Sequence, residues 1–281
     1  MTEPTSKQPE ANFDLLLFTH DTVYGGAAVA AGASGVIVDW ENRGKEQRQC
    51  GHDTEINYAT EDDLHRMRAA VRGTVICRIN NQPATRVLEL LRAADLGANE
   101  IWLPMVRRVA EVEECLNVLP RDCRLCILAE TPEALALAAE FDQLPLSRVY
   151  VGLNDLWISS GRAGLFTALI DGTVEKFRGE YSGVLGFAGV TRPSLGSPIP
   201  SRLLLAEMCR LKCGFGVARR AFRRDTPLAE LPTAIDEIHA HMRELAGRTP
   251  AMIEEDRRDL ETSVQRHSIG IARQAGNNLD R

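Results

Sequence analysis

Three polar residues close three apolar runs of this sequence, and their side chains suit an acidic substrate held on a metal ion. Arg78 ends the run VICR, Glu130 ends LCILAE, and Asp155 ends VYVGLND. Each run is typical of a strand buried on both faces, and a helical pattern follows each one. Two carboxylates supply the oxygen ligands that a divalent cation prefers, and a guanidinium pairs well with a substrate carboxylate.

Eight strand-like runs alternate with helical patterns and predict how these residues come together. The runs span residues 14–19, 35–40, 75–79, 100–106, 125–130, 148–153, 184–190 and 214–218. This alternation favours a (β/α)8 TIM barrel with extra C-terminal helices, in which the carboxyl ends of all strands meet at one mouth. The alternative is a doubly wound sheet, but the sequence has no Gly-rich phosphate turn after an early strand.

The domain organisation follows from the same pattern. A polar segment over residues 1–12 is predicted to be a disordered lead-in, and residues 13–248 to form one catalytic barrel. Residues 249–281 remain as a helical tail, whose Thr249-Pro250 start is typical of a helix N-terminus. We expect this tail to form a lid or an oligomer contact.

Composition excludes several classes of partner. The 281-residue chain carries a formal net charge of −6, which disfavours a nucleic acid or an anionic membrane surface. No apolar run reaches the ~18 residues of a transmembrane helix, and the polar N-terminus is unlike a secretory signal. The seven cysteines lack the spacing of a disulfide framework, which predicts reduced thiols and a cytoplasmic protein.

A second group of polar residues follows the second strand, in the segment VDWENRGK. Asp39 and Glu41 lie on the same side of an extended chain, and Asn42 comes next. Two acids at this position would orient the water ligands of a metal or hold a base. The alternative is that Glu41 forms an ion pair with a basic residue of the same loop, namely Arg43, Lys45 or Arg48.

Histidines and rim loops provide further candidates. His20 follows the first strand and would reach the mouth, although a hydrogen bond to the backbone of the next turn is the alternative. His52 lies on a polar loop that would close over the site. Pro104 and the segment 191–200 would line the rim, where Arg192 would contact an anion unless the loop is simply structural.

A resemblance to a known family rests on the segments VDWEN, ICRIN, IWLPMV, LAETPEAL and VGLNDL, with FAGVT and RRAF after them. In this order and spacing they resemble successive signatures of the HpcH/HpaI aldolase and citrate lyase β-subunit superfamily. The resemblance covers the region between residues 14 and 225. It implies a (β/α)8 barrel, usually assembled as a trimer or hexamer whose neighbours exchange the last helix.

The resemblance also assigns roles to the candidate residues. It implies that Glu130 and Asp155 bind Mg²⁺ or Mn²⁺, and that Arg78 contacts the carboxylate and the carbonyl or enolate oxygen of a 2-oxo acid. Asp39 and Glu41 match the acidic motif of the family's second strand.

Two positions depart from the aldolase branch of this family. Asn42 stands where that branch has a histidine for acid–base catalysis, and Leu128 stands where it has a glutamine. An asparagine does not exchange a proton near neutral pH, so that role is vacant or has moved. No lysine lies at a matching strand end, which disfavours a Schiff-base mechanism.

These observations predict a divalent-metal-dependent carbon–carbon lyase or aldolase. It would join a 2-oxo acid such as pyruvate or oxaloacetate to an aldehyde or acyl partner, or cleave the product, through an enolate. The expected catalytic residues are Arg78, Asp39, Glu41 and His20. The expected substrate-binding residues are Arg78, Asn42, Pro104, Asn154 and Arg192. The alternatives are a CoA-thioester lyase of the malyl- or citryl-CoA type and a catalytically degenerate binding subunit.

Overall fold

A computed structural model describes residues 13–45 and 58–279, with side chains through residue 269. Eight parallel strands follow one another around a closed barrel, and the last strand pairs with the first. The strands are β1 Asp14–Phe18, β2 Gly35–Asp39, β3 Thr74–Arg78, β4 Glu100–Leu103, β5 Arg124–Ala129, β6 Arg148–Val151, β7 Leu185–Val190 and β8 Phe215–Ala218. Each begins and ends within three residues of its predicted bounds, so the predicted (β/α)8 barrel is confirmed.

Helices surround the barrel and continue beyond it. Those of the barrel are α1 Thr22–Ala30, α2 Glu61–Ala70, α3 Arg86–Asp95, α4 Val109–Val118, α5 Pro132–Leu135, α6 Ala138–Asp142, α7 Leu153–Ser160, α8 Thr167–Ile170, α9 Thr173–Glu180, α10 Ser201–Arg210 and α11 Arg220–Asp225. The C-terminal helices are α12 Leu231–Ala246 and α13 Pro250–Leu279. The helical periodicity of PEALALAAEF predicts a single helix, which is wrong: the backbone leaves helical angles at Leu137 (φ −107°, ψ 21°) and divides the segment into two short helices.

The barrel interior is a packed core rather than a pore. Leu16, Ile76, Trp102, Tyr150 and Phe215 are among the side chains that fill it. Such filling is usual for an eight-stranded barrel.

The amino-terminal end of the barrel is closed by an ion pair. Arg148 Nε lies 3.0 Å from Glu100 Oε1, and Trp102 Nε1 donates to the same carboxylate at 3.0 Å. Glu100 is fully buried. The other end of the barrel, where the strands terminate, is therefore the side on which a site can open.

The C-terminal helix packs on its own barrel. Helix α13 contacts α8 and α10, and its Leu260 and Val264 are buried in the shared core. Arg257 Nη1 binds Glu207 Oε1 at 2.6 Å, which fixes the helix to α10. The proposed boundary at residue 248 and an oligomer contact of the tail stay predictions. None of the helices in the described ranges is long and apolar enough to cross a membrane.

Candidate functional site

Strands β2 and β3 bring an acid and an arginine together at the mouth. Asp39 and Arg78, the last residues of these strands, are partners in the sheet register. Arg78 Nε donates to Asp39 Oδ1 at 2.8 Å, and its Nη2 donates to Oδ2 at 2.6 Å. Its Nη1 lies 3.3 Å from Glu41 Oε2. These contacts engage three of the five N–H groups of a guanidinium and leave two for a substrate.

A buried lysine completes this cluster. Lys45 is only 4% exposed, and its Nζ lies 3.4 Å from Asp39 Oδ2 and 3.5 Å from Glu41 Oε2. The alternative in which Glu41 pairs with a basic residue of its own loop is therefore confirmed for Lys45, in addition to the contact with Arg78. Lys45 lies in the loop after β2, so strand ends alone did not indicate it.

Asn80 attaches this loop to β3. Its Oδ1 accepts hydrogen bonds from the backbone N–H groups of Asn42 at 3.1 Å and Arg43 at 2.9 Å. Its Nδ2 donates to the carbonyl of Trp40 at 3.0 Å. Asn42 is half-buried in this loop. The sequence analysis missed Asn80, although its place two residues after Arg78 in ICRIN was a usable signal.

Glu130 lies directly after β5 and is 2% exposed. Its Oε1 accepts the backbone N–H of Met105 at 2.7 Å. Met105 has a φ of 51°, an uncommon value for a side-chain-bearing residue, and Pro104 is buried just before it. The Pro104–Met105 turn thus orients a donor at the carboxylate. The expected substrate contact of Pro104 stays a prediction.

Asp155 is not at a strand end, which corrects the sequence analysis. Strand β6 stops at Val151, and Asp155 is in the first turn of α7, where it is 7% exposed. An acid is favoured there by the helix dipole. The intervening Gly152 makes room for Glu130, because a Cβ at this residue would lie 2.7 Å from the Cβ of Glu130 and closer still to its Oε2. Asn154, beside Asp155, is half-buried.

The electrostatics link these carboxylates. Burial raises the pKa of Glu130 well above its usual value, and the nearby Asp155 and Glu41 raise it further, while Arg78 lowers it. The same charges act on Tyr150, but its pKa is raised mainly by burial. Its ring lies 5.1 Å from that of Trp102, inside the barrel, so Tyr150 belongs to the floor beneath the site. The sequence analysis missed it.

Four carboxylates lie close to one another at the mouth. Asp39, Glu41, Glu130 and Asp155 are each no more than 7% exposed. Arg78 and Lys45 contact Asp39 and Glu41, while the charges of Asp155 and Glu41 disfavour the ionised form of Glu130. A divalent cation beside Glu130 and Asp155 would reduce this repulsion.

The donor set fits a hard metal ion. Glu130 and Asp155 offer carboxylate oxygens, which Mg²⁺ and Mn²⁺ prefer, and Mg²⁺ commonly binds through one or two protein carboxylates. Within residues 13–45 and 58–279, no group of three or more His, Cys, Asp and Glu side chains is arranged to hold a metal. Water and substrate oxygens would therefore supply the rest of the coordination.

Other predicted residues lie outside this cluster. His20 is exposed between β1 and α1. Arg192 binds both carboxylate oxygens of Glu237, at 2.8 and 2.7 Å, and also Glu230 at 2.8 Å. These partners already neutralise the arginine, so the structure offers no support for its predicted contact with a substrate anion. His52 is outside the described residues.

The comparisons concern the fold. RipC from Yersinia pestis matches with a TM-score of 0.52 at 15% identity, over 86% of this chain and 99% of that one. A citrate lyase from Burkholderia xenovorans LB400 matches with a TM-score of 0.52 at 16% identity, over 82% and 76%. Macrophomate synthase matches with a TM-score of 0.53 at 14% identity, over 84% and 87%.

At 14–16% identity these three likenesses show the fold alone, and they confirm the fold that the family resemblance predicted. No protein-family profile and no curated protein sequence matches the chain.

Proposed function

We propose that this protein is a divalent-metal-dependent carbon–carbon lyase or aldolase acting on a 2-oxo acid such as pyruvate or oxaloacetate. The observation that carries the proposal is the pair of buried carboxylates Glu130 and Asp155, which repel each other beside Arg78 and whose oxygens suit Mg²⁺ or Mn²⁺. The fold likeness to a citrate lyase and to macrophomate synthase agrees with this reaction class.

Glu130 and Asp155 would hold the metal, which when bound supplies positive charge beside the carboxylate and 2-oxo oxygens of the substrate. Arg78 uses its two remaining N–H groups to bind the substrate and to stabilise the negative charge that develops on the enolate oxygen. Asp39 holds the guanidinium in place before the reaction, so this stabilisation requires no reorganisation in the transition state.

The aldehyde or acyl partner needs its own space and a base. A cavity of about 460 Å³ beside Asn42 is bordered by Trp40, Thr60, Asn80 and Glu89, and the polar side chains among these would hydrogen-bond a hydroxylated partner. In the cleavage direction Glu41 accepts the proton of the hydroxyl group on C4, since it is a buried carboxylate of the same cluster.

The test is proton NMR of pyruvate in D₂O with the protein, first with Mg²⁺ and then with EDTA. The methyl signal should disappear only with metal, because enolisation exchanges its protons. Glu130→Gln and Asp155→Asn should each lower this exchange at least about 100-fold, as expected for loss of transition-state charge stabilisation.

Glu133→Gln is the matched control, because Glu133 is half-exposed and pairs with Arg107 on the surface. It should exchange at the wild-type rate. Metal-independent exchange, or full exchange in both site variants, would contradict the proposal.

A CoA-thioester lyase is the second candidate, favoured by the basic segment after β8. Arg219 donates to the backbone carbonyls of Gly189 and Ser197, at 3.0 Å each, rather than to a carboxylate. A guanidinium in this position would suit the phosphates of CoA. Turnover of malyl- or citryl-CoA without pyruvate exchange would favour this candidate, and Mg²⁺ binding without either reaction would favour a binding subunit.

A further inference from the structure

The cluster at the mouth contains an ammonium group that the mechanism above does not use. Lys45 Nζ contacts Asp39 Oδ2 and Glu41 Oε2, the same oxygens that Arg78 contacts. It is nearly fully buried, and lysine is almost never buried to this extent unless it is paired with other charged groups. An ammonium has three N–H groups, and these two contacts leave one of them available.

We propose that Lys45 is the proton donor of this site and that it protonates C3 of the enolate. The inference rests on the proposed function and names the acid that the reaction requires. Asn42 has an amide and does not exchange protons near neutral pH, His20 is exposed outside the cluster, and Tyr150 lies in the floor.

Lys45 acts here as an acid and not as a Schiff-base nucleophile. An ammonium that donates to carboxylates has no lone pair with which to attack a carbonyl. Of the charged groups in the described part of the chain, Asp39 and Glu41 contact it, and Arg78 shares their oxygens. The two carboxylates fix the position of the ammonium group.

The protons balance within the cluster. In cleavage, the C4 hydroxyl gives its proton to the Glu41 carboxylate while the C3–C4 bond breaks and its electrons form the enolate. A Lys45 N–H bond then breaks and a C3–H bond forms, which leaves a neutral amine. The proton on Glu41 moves to Lys45 Nζ, 3.5 Å from Oε2, and both groups return to their starting states.

The experiment measures metal-dependent deuterium exchange at C3 of pyruvate in wild type, Lys45→Met and Lys45→Arg. Oxalate, a planar mimic of the enolate, reports separately on binding by calorimetry. Both variants should lose at least about 100-fold in exchange, the lower end of the range for acid–base catalysis, while the oxalate Kd of Lys45→Arg changes less than about threefold. Lys176→Met is the control, since Lys176 is exposed on α9.

Chemical rescue separates proton donation from charge. Methylamine should restore exchange to Lys45→Ala, whereas methylguanidinium, which carries the charge but does not release a proton, should not. Equal rescue by both cations, or near-wild-type exchange in Lys45→Arg, would overturn the assignment and leave Lys45 as an ion-pair partner. Absence of exchange in the wild type would instead refute the proposed function, and this inference with it.

Discussion

Asp39 binds the guanidinium of Arg78 through both carboxylate oxygens, and Glu41 contacts its third nitrogen. The ring of Phe18 lies below, 4.6 Å from the guanidinium carbon. A planar fork with fixed donors satisfies all these contacts at once, and a lysine ammonium does not. The chemistry of this site therefore depends on one guanidinium with a single orientation.

Arg78→Lys is expected to lower metal-dependent turnover at least about 100-fold, because a point charge does not reproduce the bidentate donors at the enolate. Steady-state kinetics with the protein's substrate and circular dichroism would measure activity and fold. Arg66→Lys, at a surface arginine of α2 that is 60% exposed, is the control. Near-normal turnover in Arg78→Lys would mean that Arg78 is structural.

At the scale of elements, the junctions after the strands build the site. Glu130 follows β5 directly, but Asp155 reaches the cluster from the first turn of α7, and Gly152 between them leaves space for the Glu130 carboxylate. The β4–α4 junction contributes the N–H of Met105. Neighbouring junctions thus each place one of the two proposed metal ligands, and the N–H of Met105 orients Glu130.

The strands were predictable from the sequence because buried parallel strands are continuous apolar runs. Residues at or next to their ends, such as Arg78, Asp39 and Glu130, were predictable for the same reason. Lys45 was predicted only as one of three possible ion-pair partners of Glu41, and Asn80 was missed, because the path of a loop depends on contacts between distant residues. The short helix α7 was missed because LNDLWISS has no clear helical periodicity, and this error placed Asp155 at a strand end.

Gly152→Ala is expected to displace the Glu130 carboxylate. It should abolish metal-dependent exchange and lower the free energy of unfolding by about 1–3 kcal/mol, as overpacking does. Gly179→Ala is the control: its added Cβ meets no atom within 4 Å, and alanine in a helix is favoured over glycine by about 0.5–1 kcal/mol. Urea unfolding and NMR exchange measure both effects. An active Gly152→Ala variant would refute the close approach of Glu130 to residue 152.

At the scale of the whole molecule, we expect folding of the barrel to be coupled to binding of a cation. The buried carboxylates are held together only when the barrel has closed, since they come from the ends of two different strands and from a helix. Folding the free protein therefore includes the cost of their repulsion, which a bound cation removes.

Mg²⁺ is accordingly expected to raise the melting temperature of the wild type. At a free concentration one hundred times its Kd, the metal contributes about 2.7 kcal/mol of stability. Glu130→Gln should gain almost nothing from Mg²⁺, and in EDTA it should be at least as stable as the wild type because it lacks one of the repelling charges. Differential scanning calorimetry with both proteins measures this, and equal metal stabilisation of both would contradict the assigned ligands.

The pH dependence of stability has a contribution from α12. Burial, and secondarily Arg243, lowers the pKa of His239 below its ordinary 6.5, and its Nε2 has no hydrogen-bond partner. The unfolded chain therefore binds this proton more readily than the folded chain. Stability from His239 is present above pH 6.5 and is lost as the pH falls through the lowered folded pKa.

His239→Gln should therefore lose less stability than the wild type between pH 7 and pH 5, as urea unfolding would measure across that range. His241→Gln, on the same helix, provides the comparison. If His239→Gln and wild type lost the same stability on acidification, the contribution of His239 would be refuted.

The ion pair of Glu100 and Arg148 closes the barrel from below, under a filled interior. A molecule bound at the mouth therefore has no exit through the filled barrel interior, and one that lies deeper binds before its partner and leaves after it. On the proposed function, this imposes an ordered kinetic scheme in which the 2-oxo acid binds before its partner. In cleavage the aldehyde or acyl product would be released first, and the 2-oxo acid would act as the competitive product inhibitor.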